Sequence, residues 1–185
     1  MNTVVTSRED ILEHSRQLIQ SHGWTALNIR ALASACGISV GSIYNYFGSK
    51  AELLAATVES VWKSVFHVPG KVQQLPGFSA CVRWIFDSMR KADEKYPGFF
   101  SMHSVSFMGE DKSSGQTLMA RAWLHIKQGL HVALEADKNI REDAFDEDFT
   151  KEALVELVFS LMLASMMRPD LDGKAVQAML DRLLY

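Results

Sequence analysis

The side chains with the clearest chemical potential lie in one stretch of the sequence, NIRALASACGISVGSIYNYFGSK, which runs from Asn28 to Lys50. This stretch contains two basic side chains, Arg30 and Lys50, and no acidic one, as a surface that faces phosphate groups requires. Its central part carries short hydroxyl and amide side chains, which can hydrogen-bond to the edges of base pairs. These residue types indicate non-covalent recognition of a nucleic acid rather than catalysis.

Two short helices joined by a tight turn would position these groups. Asn28 can cap the first helix and Ser39 the second, because both side chains accept hydrogen bonds from helical N–H groups. Gly37 supplies the conformational freedom that the turn requires, and Ile38 fills the gap between the helices. The inner face of the first helix is expected to contain Ile29, Leu32, Ala33 and Cys36.

The second helix is expected to be buried on one side. Ile43 and Phe47 lie four residues apart and therefore share its inward face. The residues left on the outward face are Val40, Gly41, Ser42, Tyr44 and Asn45. A face with side chains of this size and polarity can enter the major groove of DNA, so the sequence predicts a helix-turn-helix over roughly residues 29–47.

The sequence offers no constellation of catalytic or metal-binding groups. No two histidines lie four residues apart, and no Asp or Glu precedes a histidine by three residues, which excludes the helical zinc and di-iron patterns. Neither a phosphate-binding loop nor a dinucleotide-binding glycine pattern occurs. Cys36 and Cys81 are expected to be small buried hydrophobic residues. We therefore expect no catalytic residue, no cofactor and no metal.

The overall charge does not exclude a nucleic-acid partner. The 185 residues carry a formal charge of −3, but residues 1–67 contain five basic and five acidic residues, so the negative balance lies in the remainder. The longest uncharged apolar run, Leu157 to Met167, is too short to cross a bilayer, and no N-terminal segment has the pattern of a signal peptide. We expect a cytoplasmic protein with no membrane partner.

The pattern is helical nearly throughout, and a hydrophobic content of 48% is sufficient for a core, so the chain is predicted to be all-α. The first helix begins near Ser7, with Thr6 and Glu9 spaced as a capping box, and ends at Gly23. Its inward side chains are expected to be Ile11, Ser15, Leu18, Ile19 and His22.

Further helices are predicted on either side of a connector rich in proline and glycine. The fourth helix begins with a box-like pair, Ser49 and Glu52, and runs to about His67, where the connector of residues 68–77 follows. The later helices are expected at 78–96, 99–108, 116–137, 150–167 and 174–184, with polar loops at 109–115 and 141–148. The helix over 150–167 is apolar on nearly all sides and therefore needs cover all round.

Residues 8–67 resemble, as one block, the DNA-binding domain of the TetR family of bacterial regulators. The features that carry the resemblance follow the first helix in the family's order, and they are Gly23 and Trp24, the helix-turn-helix with Tyr44 and Phe47, and then Ser49, Lys50 and Leu53. The resemblance implies a three-helix DNA-binding domain at residues 1–50 and a connecting helix at 49–67. It also implies a helical effector-binding and dimerisation domain at 68–185.

The resemblance implies a role for each exposed residue of the motif. The positions at which the family contacts phosphates hold Asn28, Tyr44, Tyr46 and Lys50. The positions that approach bases hold Arg30, Val40, Gly41, Ser42 and Asn45, and Ser39 belongs to the same surface. Lys50 lies in the first turn of a helix, so backbone amides can join it at a phosphate. The family often has a long polar or basic residue at position 40, whereas Val40 can offer only apolar contact, for instance to a thymine methyl group.

For the C-terminal domain, the resemblance implies an effector cavity and a dimer interface. Aromatic and methionine side chains suit an adaptable apolar cavity, and plain core packing is the alternative for each of them. The candidate cavity residues are Trp62, Phe66, Trp84, Phe86, Phe100, His103, Phe107, Met119 and Trp123. The candidate interface residues, which a twofold mate would cover in a four-helix bundle, are Leu154, Val158, Leu161, Met162, Val176, Met179, Leu180 and Leu183.

These inferences together predict a homodimeric repressor that binds a roughly palindromic double-stranded DNA operator and is released by a small, largely apolar effector. The alternative is a helical ligand-binding or interaction module without productive DNA binding, which the small number of basic residues favours. Tyr44 and Tyr46 can also complete a core, and Arg30 can be an ordinary solvated residue. Salt-dependent binding to DNA separates the two functions.

Overall fold

The computed structural model describes residues 6–66, 75–99, 112–167 and 173–185, with the backbone alone at 112–119, 121, 122 and 167. Within these residues the regular structure is helical and contains no strand, in agreement with the predicted all-α class. The α-helices are α1 (Arg8–His22), α2 (Ile29–Ala35), α3 (Val40–Tyr46), α4 (Lys50–Phe66), α5 (Phe78–Lys95), α6 (Lys112–Ala136), α7 (Lys151–Met167) and α8 (Gly173–Leu184). A turn of 3-10 helix, Trp24–Ala26, precedes α2. No helix in this part of the chain is long and apolar enough to span a membrane.

The helix boundaries agree with the predicted ones to within one residue, except at the start of α6. This helix begins at Lys112, so residues 112–115 are helical although the sequence predicts a polar turn there. Serine and, more strongly, glycine disfavour a helix, but each by no more than about 1 kcal/mol per residue, and the surrounding structure overrides such a preference. Residues 100–108 of the predicted helix and most of the connector at 68–77 lie outside the described residues.

The start of α1 differs from the predicted capping box by one residue. The Ser7 hydroxyl accepts the Asp10 N–H at 3.1 Å, and the Asp10 carboxylate accepts the Ser7 N–H at 2.9 Å. Thr6 and Glu9 have the same spacing, but Glu9 is instead bonded to the Arg16 guanidinium at 3.2 Å. The prediction was therefore wrong by one position, because the carboxylate of Glu9 has another partner.

The inner face of α1 is mostly as predicted. The buried side chains are Ile11, Leu12, Ser15 and Ile19, and Leu18 packs against them while half-buried. His22 is exposed, contrary to the prediction. The helix ends at this residue, and the chain turns at Gly23 so that Trp24, 6% exposed, takes the inward position.

The first four helices enclose one hydrophobic cluster. Its buried members are Ile11, Leu12, Leu32, Ala33, Cys36, Ile43, Phe47, Leu53 and Ala56. Ile29 and Ile38 are partly buried against it. This cluster joins α1, α2, α3 and the first turns of α4, and it therefore holds the predicted helix-turn-helix as one body.

The described residues fall into two compact units. The first contains the described residues of 1–65 and of 92–120, and the second contains those of 66–91 and of 121–185. The chain therefore crosses between the units three times, whereas the sequence predicted one boundary near residue 67. The functional division into a DNA-binding and an effector domain stays a prediction.

In the first unit, the segment after α5 packs against the turn after α1. The Pro97 carbonyl accepts the Trp24 N–H at 3.1 Å. The fully buried Phe99 ring meets the rings of Trp24 and Trp62 edge to face, with centroid distances of 5.6 and 6.4 Å. Such aromatic pairs stabilise the fold beyond the area they bury, so these contacts fix the turn from which α2 begins.

In the second unit, α6, α7 and α8 pack with most of α5. The fully buried side chains include Phe78, Val82, Leu130, Leu134, Leu154, Val158, Leu180 and Leu184. α8 starts where a glycine permits close approach, because a Cβ at Gly173 would lie 2.6 Å from the Phe86 Cβ. Ion pairs of 2.7 and 2.9 Å, Lys127 with Glu156 and Lys151 with Glu135, join α6 to α7.

Asp137, directly after α6, ties three parts of the second unit together. Its carboxylate accepts the Phe78 N–H at 2.8 Å, the Asn139 N–H at 3.0 Å and the hydroxyl of Tyr185. Burial raises the pKa of this carboxyl, but the hydrogen bonds, that of Tyr185 first, lower it to a net value below the ordinary 3.8. The ionised carboxylate therefore stabilises the fold.

We expect Asp137→Asn to lower the free energy of unfolding by about 1 kcal/mol at neutral pH, because charge-assisted hydrogen bonds are lost at a half-exposed site. The folded-state pKa lies below the unfolded one, so the carboxylate's contribution is complete above the unfolded pKa and is lost as the pH falls through the folded pKa. Urea unfolding should show the difference from wild type shrinking below pH 3.8. Asp143→Asn, at an exposed ion pair with Arg141, is the control. A difference that does not change with pH contradicts the assignment.

Candidate nucleic-acid interface

Local hydrogen bonds fix both helices of the helix-turn-helix, as the sequence predicts. Asn28 Oδ1 accepts the Ala31 N–H at 2.9 Å at the start of α2. Ser39 Oγ accepts the Ser42 N–H at 3.0 Å at the start of α3. Between the helices Gly37 adopts φ +66°, a conformation that favours glycine. The predicted caps and the predicted turn are confirmed.

Two side chains anchor α3 to the core. Ile43 and Phe47 are both 0% exposed and belong to the hydrophobic cluster of the first four helices. Ile43 lies within the seven-residue helix and Phe47 directly follows it, and because both enter the cluster, the opposite face of the helix points to solvent. Val40 and Tyr44 on that face are 36% and 44% exposed, a large fraction for apolar and aromatic side chains. The helix is thus fixed on one side and available on the other.

The structure leaves nearly all predicted DNA-contact residues accessible. The exposed ones are Asn28, Arg30, Ser39, Val40, Gly41, Tyr44, Asn45, Tyr46 and Lys50. Ser42 is half-buried, and its hydroxyl lies 2.9 Å from that of Ser39. The alternative in which Tyr44 completes a core is not supported, because its side chain is exposed.

Two of the predicted phosphate contacts already have partners within the chain. Asn28 uses its Oδ1 to cap α2, and its Nδ2 donates to the Ala26 carbonyl at 3.1 Å. The Tyr46 hydroxyl donates to the Thr6 carbonyl at 2.6 Å. The contact of these two side chains with phosphate stays a prediction. Both also have a structural role, which the sequence predicted for Asn28 but not for Tyr46.

The basic residues of α1 to α4 divide into paired and unpaired groups. Arg16 is ion-paired with Glu9 and Glu13, and Lys63 lies 2.7 Å from the carboxylate of Glu59. Three basic side chains have no carboxylate within 4 Å among the described residues, and they are Arg8, Arg30 and Lys50. Arg30 and Lys50 were predicted from the sequence, whereas Arg8 was missed. Arg8 lies far before the motif in the sequence, so no residue spacing indicated that it belongs to the same surface.

The start of α4 presents Lys50 beside a capped helix end. Ser49 Oγ accepts the Glu52 N–H at 3.0 Å, which confirms one half of the predicted box. Glu52 itself accepts the Gly48 N–H at 2.8 Å rather than the N–H of Ser49. The Glu52 carboxylate is therefore bonded to the backbone, and Lys50 keeps its charge available in the first turn of the helix.

Five of the candidate cavity residues have described side chains. Trp62 and Phe86 are buried at 6% and 5% exposure, and Phe66, Trp84 and Trp123 are half-buried. The candidates outside the described side chains are Phe100, His103, Phe107 and Met119. Trp62 belongs to the first unit and the other four to the second. The cavity stays a prediction.

Several of the predicted dimer-interface residues are already buried within a single protomer, which reduces the number of interface candidates. Five of its candidates are buried within the second unit, at 4% exposure or less, and they are Leu154, Val158, Met162, Val176 and Leu180. A side chain that its own protomer covers contributes little surface to a partner, so these residues are corrected to core positions. Leu161 and Leu183 are half-buried and Met179 is 44% exposed. These three stay interface candidates.

Both cysteines are buried, as predicted, and both are protonated at neutral pH. Burial raises the pKa of Cys81 to about 11. Burial, and then the nearby charge of Asp10, raises the pKa of Cys36. Because the thiolate is the reactive form, these thiols have the chemistry of small hydrophobic residues.

The sequence of the N-terminal part matches a known family. Residues 11–57 fit the family model described as bacterial regulatory proteins, tetR family. Over 52 residues the chain is 40% identical to the HTH-type transcriptional repressor AcnR of Corynebacterium efficiens. The match covers 28% of this chain and 28% of that repressor, so it spans little more than a quarter of the relative's length.

The fold is similar to solved structures along most of the chain. The TetR family transcriptional regulator PfmR from Thermus thermophilus superposes with a TM-score of 0.59 at 23% identity, over 98% of this chain and 97% of that one. BioQ, solved with its double-stranded DNA operator, gives a TM-score of 0.58 at 20% identity, over 97% and 98% of the two chains. Similarity at these identities establishes the fold.

The cap of α3 gives a stability prediction for the recognition surface. We expect Ser39→Ala to lower the free energy of unfolding by about 1 kcal/mol, because the Ser42 N–H loses its acceptor. Ser34→Ala, on the exposed side of α2, is the matched control and should change stability by less than about 0.5 kcal/mol. Chemical unfolding measures both, and equal effects of the two substitutions argue against the cap.

Proposed function

We propose that the chain, whose residues 11–57 fit the tetR family model of bacterial regulatory proteins, is a member of that family and a sequence-specific DNA-binding transcriptional regulator. Its activity is repression of transcription from an operator of roughly twofold symmetry. A small, largely apolar ligand releases it from that operator. It acts in the cytoplasm, where bacterial DNA is accessible.

The observation that carries this proposal is the geometry of α3. The helix is held by the fully buried Ile43 and by the equally buried Phe47 directly after it, and its other face exposes Gly41 and Asn45 together with Val40 and Tyr44. Unpaired basic side chains lie on the helices before and after it, Arg30 on α2 and Lys50 on α4. A rigid helix with an open polar face between cations suits insertion into a major groove lined by phosphates.

The residues divide into those that position the protein and those that read sequence. Lys50 and Tyr44 contact phosphates, with backbone amides of α4 supporting Lys50. Arg30, Ser42 and Asn45 hydrogen-bond to base edges, and a guanidinium suits guanine while an amide suits adenine. Gly41 permits close approach of the helix, and Val40 offers only apolar contact to a thymine methyl group.

Homodimerisation places two recognition helices in successive major grooves. The apolar surface that supports a dimer lies on α7 and α8, where Leu157 and Met179 are 53% and 44% exposed. Leu161 lies one turn after Leu157 on the same face of α7, and Leu183 one turn after Met179 on α8. A twofold mate that covers these side chains would form a four-helix bundle.

The effector proposal rests on the aromatic side chains of the second unit. The rings of Phe66 and Trp84 meet edge to face at 6.3 Å, and those of Trp123 and Phe159 at 6.0 Å. The buried Nε1 of Trp123 has no hydrogen-bond acceptor among the described residues. These groups suit an apolar ligand with one acceptor atom. α4 begins at Lys50, a proposed phosphate contact, and ends at Phe66, a proposed cavity residue. A shift of this helix when the effector binds would therefore change the affinity for DNA.

The direct test is fluorescence anisotropy with labelled DNA from the upstream region of the protein's own gene, at a series of salt concentrations. Tight binding that falls with salt, and that exceeds binding to a scrambled duplex, supports the regulator. Absence of salt-dependent binding overturns the proposal and supports a ligand-binding or interaction module. A ligand screen by thermal stability and Trp emission then identifies the effector.

Substitutions in the motif separate phosphate contacts from base contacts. We expect Lys50→Ala to weaken binding to the operator and to unrelated DNA by a similar factor and to reduce the salt slope, because one phosphate contact per protomer is lost. Asn45→Ala should instead weaken operator binding alone, by roughly 10-fold or more. Lys63→Ala, which removes a cation already paired with Glu59, is the control. Uniform loss across all sequences for Asn45→Ala refutes its base-reading role.

The dimer is tested by placing a charge on α7. We expect Leu157→Arg to convert the protein to a monomer at micromolar concentration in sedimentation, because an unpaired charge at an apolar interface is costly. Operator affinity should fall with it, since one protomer contacts only half of the site. Leu124→Arg, at a 54% exposed leucine of α6, is the matched control. If the Leu157→Arg protein remains dimeric, the face of α7 that carries Leu157 is not the dimer interface.

A further inference from the structure

Arg8, the first residue of α1, reaches the far end of the recognition helix. Its guanidinium carbon lies 4.8 Å from the centroid of the Phe47 ring. Phe47 directly follows α3, and its side chain is otherwise buried in the hydrophobic cluster. A guanidinium in this position is attracted by the electrons of the ring and can rest its flat face against it. The start of the first helix is thus tied to the C-terminal end of α3.

A second contact joins the same two segments. The Tyr46 hydroxyl donates to the Thr6 carbonyl at 2.6 Å, and these residues lie directly beside the first contact in the sequence. The ring of Tyr46 remains 37% exposed. We call these two contacts, Arg8 with Phe47 and Tyr46 with Thr6, the N-terminal clasp. Because it holds the chain on both sides of Ser7, it restricts where the Arg8 side chain can go.

The charge of Arg8 is not neutralised by its acidic neighbours. Glu9 is bonded to Arg16 at 3.2 Å. Asp10 accepts the Ser7 N–H and hydroxyl at 2.9 and 2.7 Å, and the hydroxyl bond chiefly keeps its pKa below the ordinary value. Among the described residues no carboxylate lies within 4 Å of Arg8. An available cation remains on an exposed side chain.

Helix stability gives no reason for a cation at this position. The N-terminus of a helix carries partial positive charge, so a basic residue in the first turn of α1 is unfavourable there. Contact of the cation with one aromatic ring at an exposed site offsets only part of this cost. A ligand that is negatively charged explains the choice of residue better than the fold does.

We propose that Arg8 is a further phosphate contact of the DNA interface, set beside the C-terminal end of α3 by the N-terminal clasp. This inference rests on the proposed DNA-binding function and extends its interface from α2, α3 and α4 to α1. Lys50 follows Phe47 by three residues, so the two unpaired cations are both connected to that end of the recognition helix. The guanidinium can keep its face on the ring while its N–H groups bind phosphate oxygens. Tyr46 then acts as a positioning residue for Arg8.

The first test is the salt dependence of DNA binding by the full chain. Arg8→Gln should lower the slope of log affinity against log salt by roughly one per protomer, and should weaken binding to operator and unrelated DNA by the same factor. Arg8→Lys keeps the charge and should retain the slope. Lys63→Gln changes the net charge equally but removes a paired cation, so it should leave the slope unchanged.

Protein stability separates a binding role from a structural one. Because a basic residue at a helix N-terminus is unfavourable, Arg8→Gln should leave the urea midpoint unchanged or raise it slightly. If the wild-type protein binds DNA and Arg8→Gln has the same salt slope as wild type, the assignment of Arg8 is overturned. A wild type that shows no salt-dependent binding overturns instead the proposed function.

The role of Tyr46 is tested by a double-mutant cycle. If the Tyr46 hydroxyl acts through Arg8, Tyr46→Phe should weaken DNA binding in the wild type and have little effect in the Arg8→Gln background. If the hydroxyl itself contacts phosphate, Tyr46→Phe should weaken binding equally in both backgrounds, and the positioning role is overturned. If Tyr46→Phe does not weaken DNA binding in the wild-type background, the positioning role is overturned as well.

Discussion

The burial of Ile43 and Phe47 is the constraint on which the rest of the interface depends. α3 has seven residues, and a helix of this length is not stable by itself in water. It exists because two side chains four residues apart are fully buried in the cluster that α1, α2 and α4 complete. The same burial fixes which residues face solvent, because rotation of the helix would expose one of the anchors. The recognition surface is therefore a consequence of core packing.

The local part of this arrangement could be predicted from the sequence, because its physical causes lie within a few residues of each other. The caps at Asn28 and Ser39, the turn at Gly37 and the anchoring pair all follow from spacing and residue type. The register of the α1 cap could not be predicted, since two pairs of residues had the same spacing. In the structure the Arg16 guanidinium bonds Glu9, and the capping box forms from the other pair, Ser7 and Asp10.

The non-local contacts could not be predicted from one sequence. Nothing in the spacing of Tyr46 indicates that its hydroxyl meets the Thr6 carbonyl, 40 residues earlier. Periodicity also could not separate side chains that pack within a protomer from those that face a partner. α7 is apolar on nearly all sides, and the sequence pattern selected Leu154 and not Leu157 for the interface, although the first is 1% exposed and the second 53%. Only the packing of the neighbouring helices distinguishes them.

The formal charge of residues 1–67 is zero, but their basic and acidic side chains are not all paired with one another. The five acidic side chains all have partners in the structure, and they are Glu9 and Glu13 with Arg16, Asp10 with Ser7, Glu52 with the Gly48 backbone, and Glu59 with Lys63. Acids and bases are equal in number, so each acid that hydrogen-bonds to a neutral group instead of a base keeps its charge and leaves one base without an ion-pair partner. Asp10 and Glu52 make such bonds, and Glu9 and Glu13 share one arginine. Three bases therefore have no ion-pair partner among the described residues, so the helix caps and the one shared arginine leave cations available for phosphate without giving this part of the chain a net positive charge.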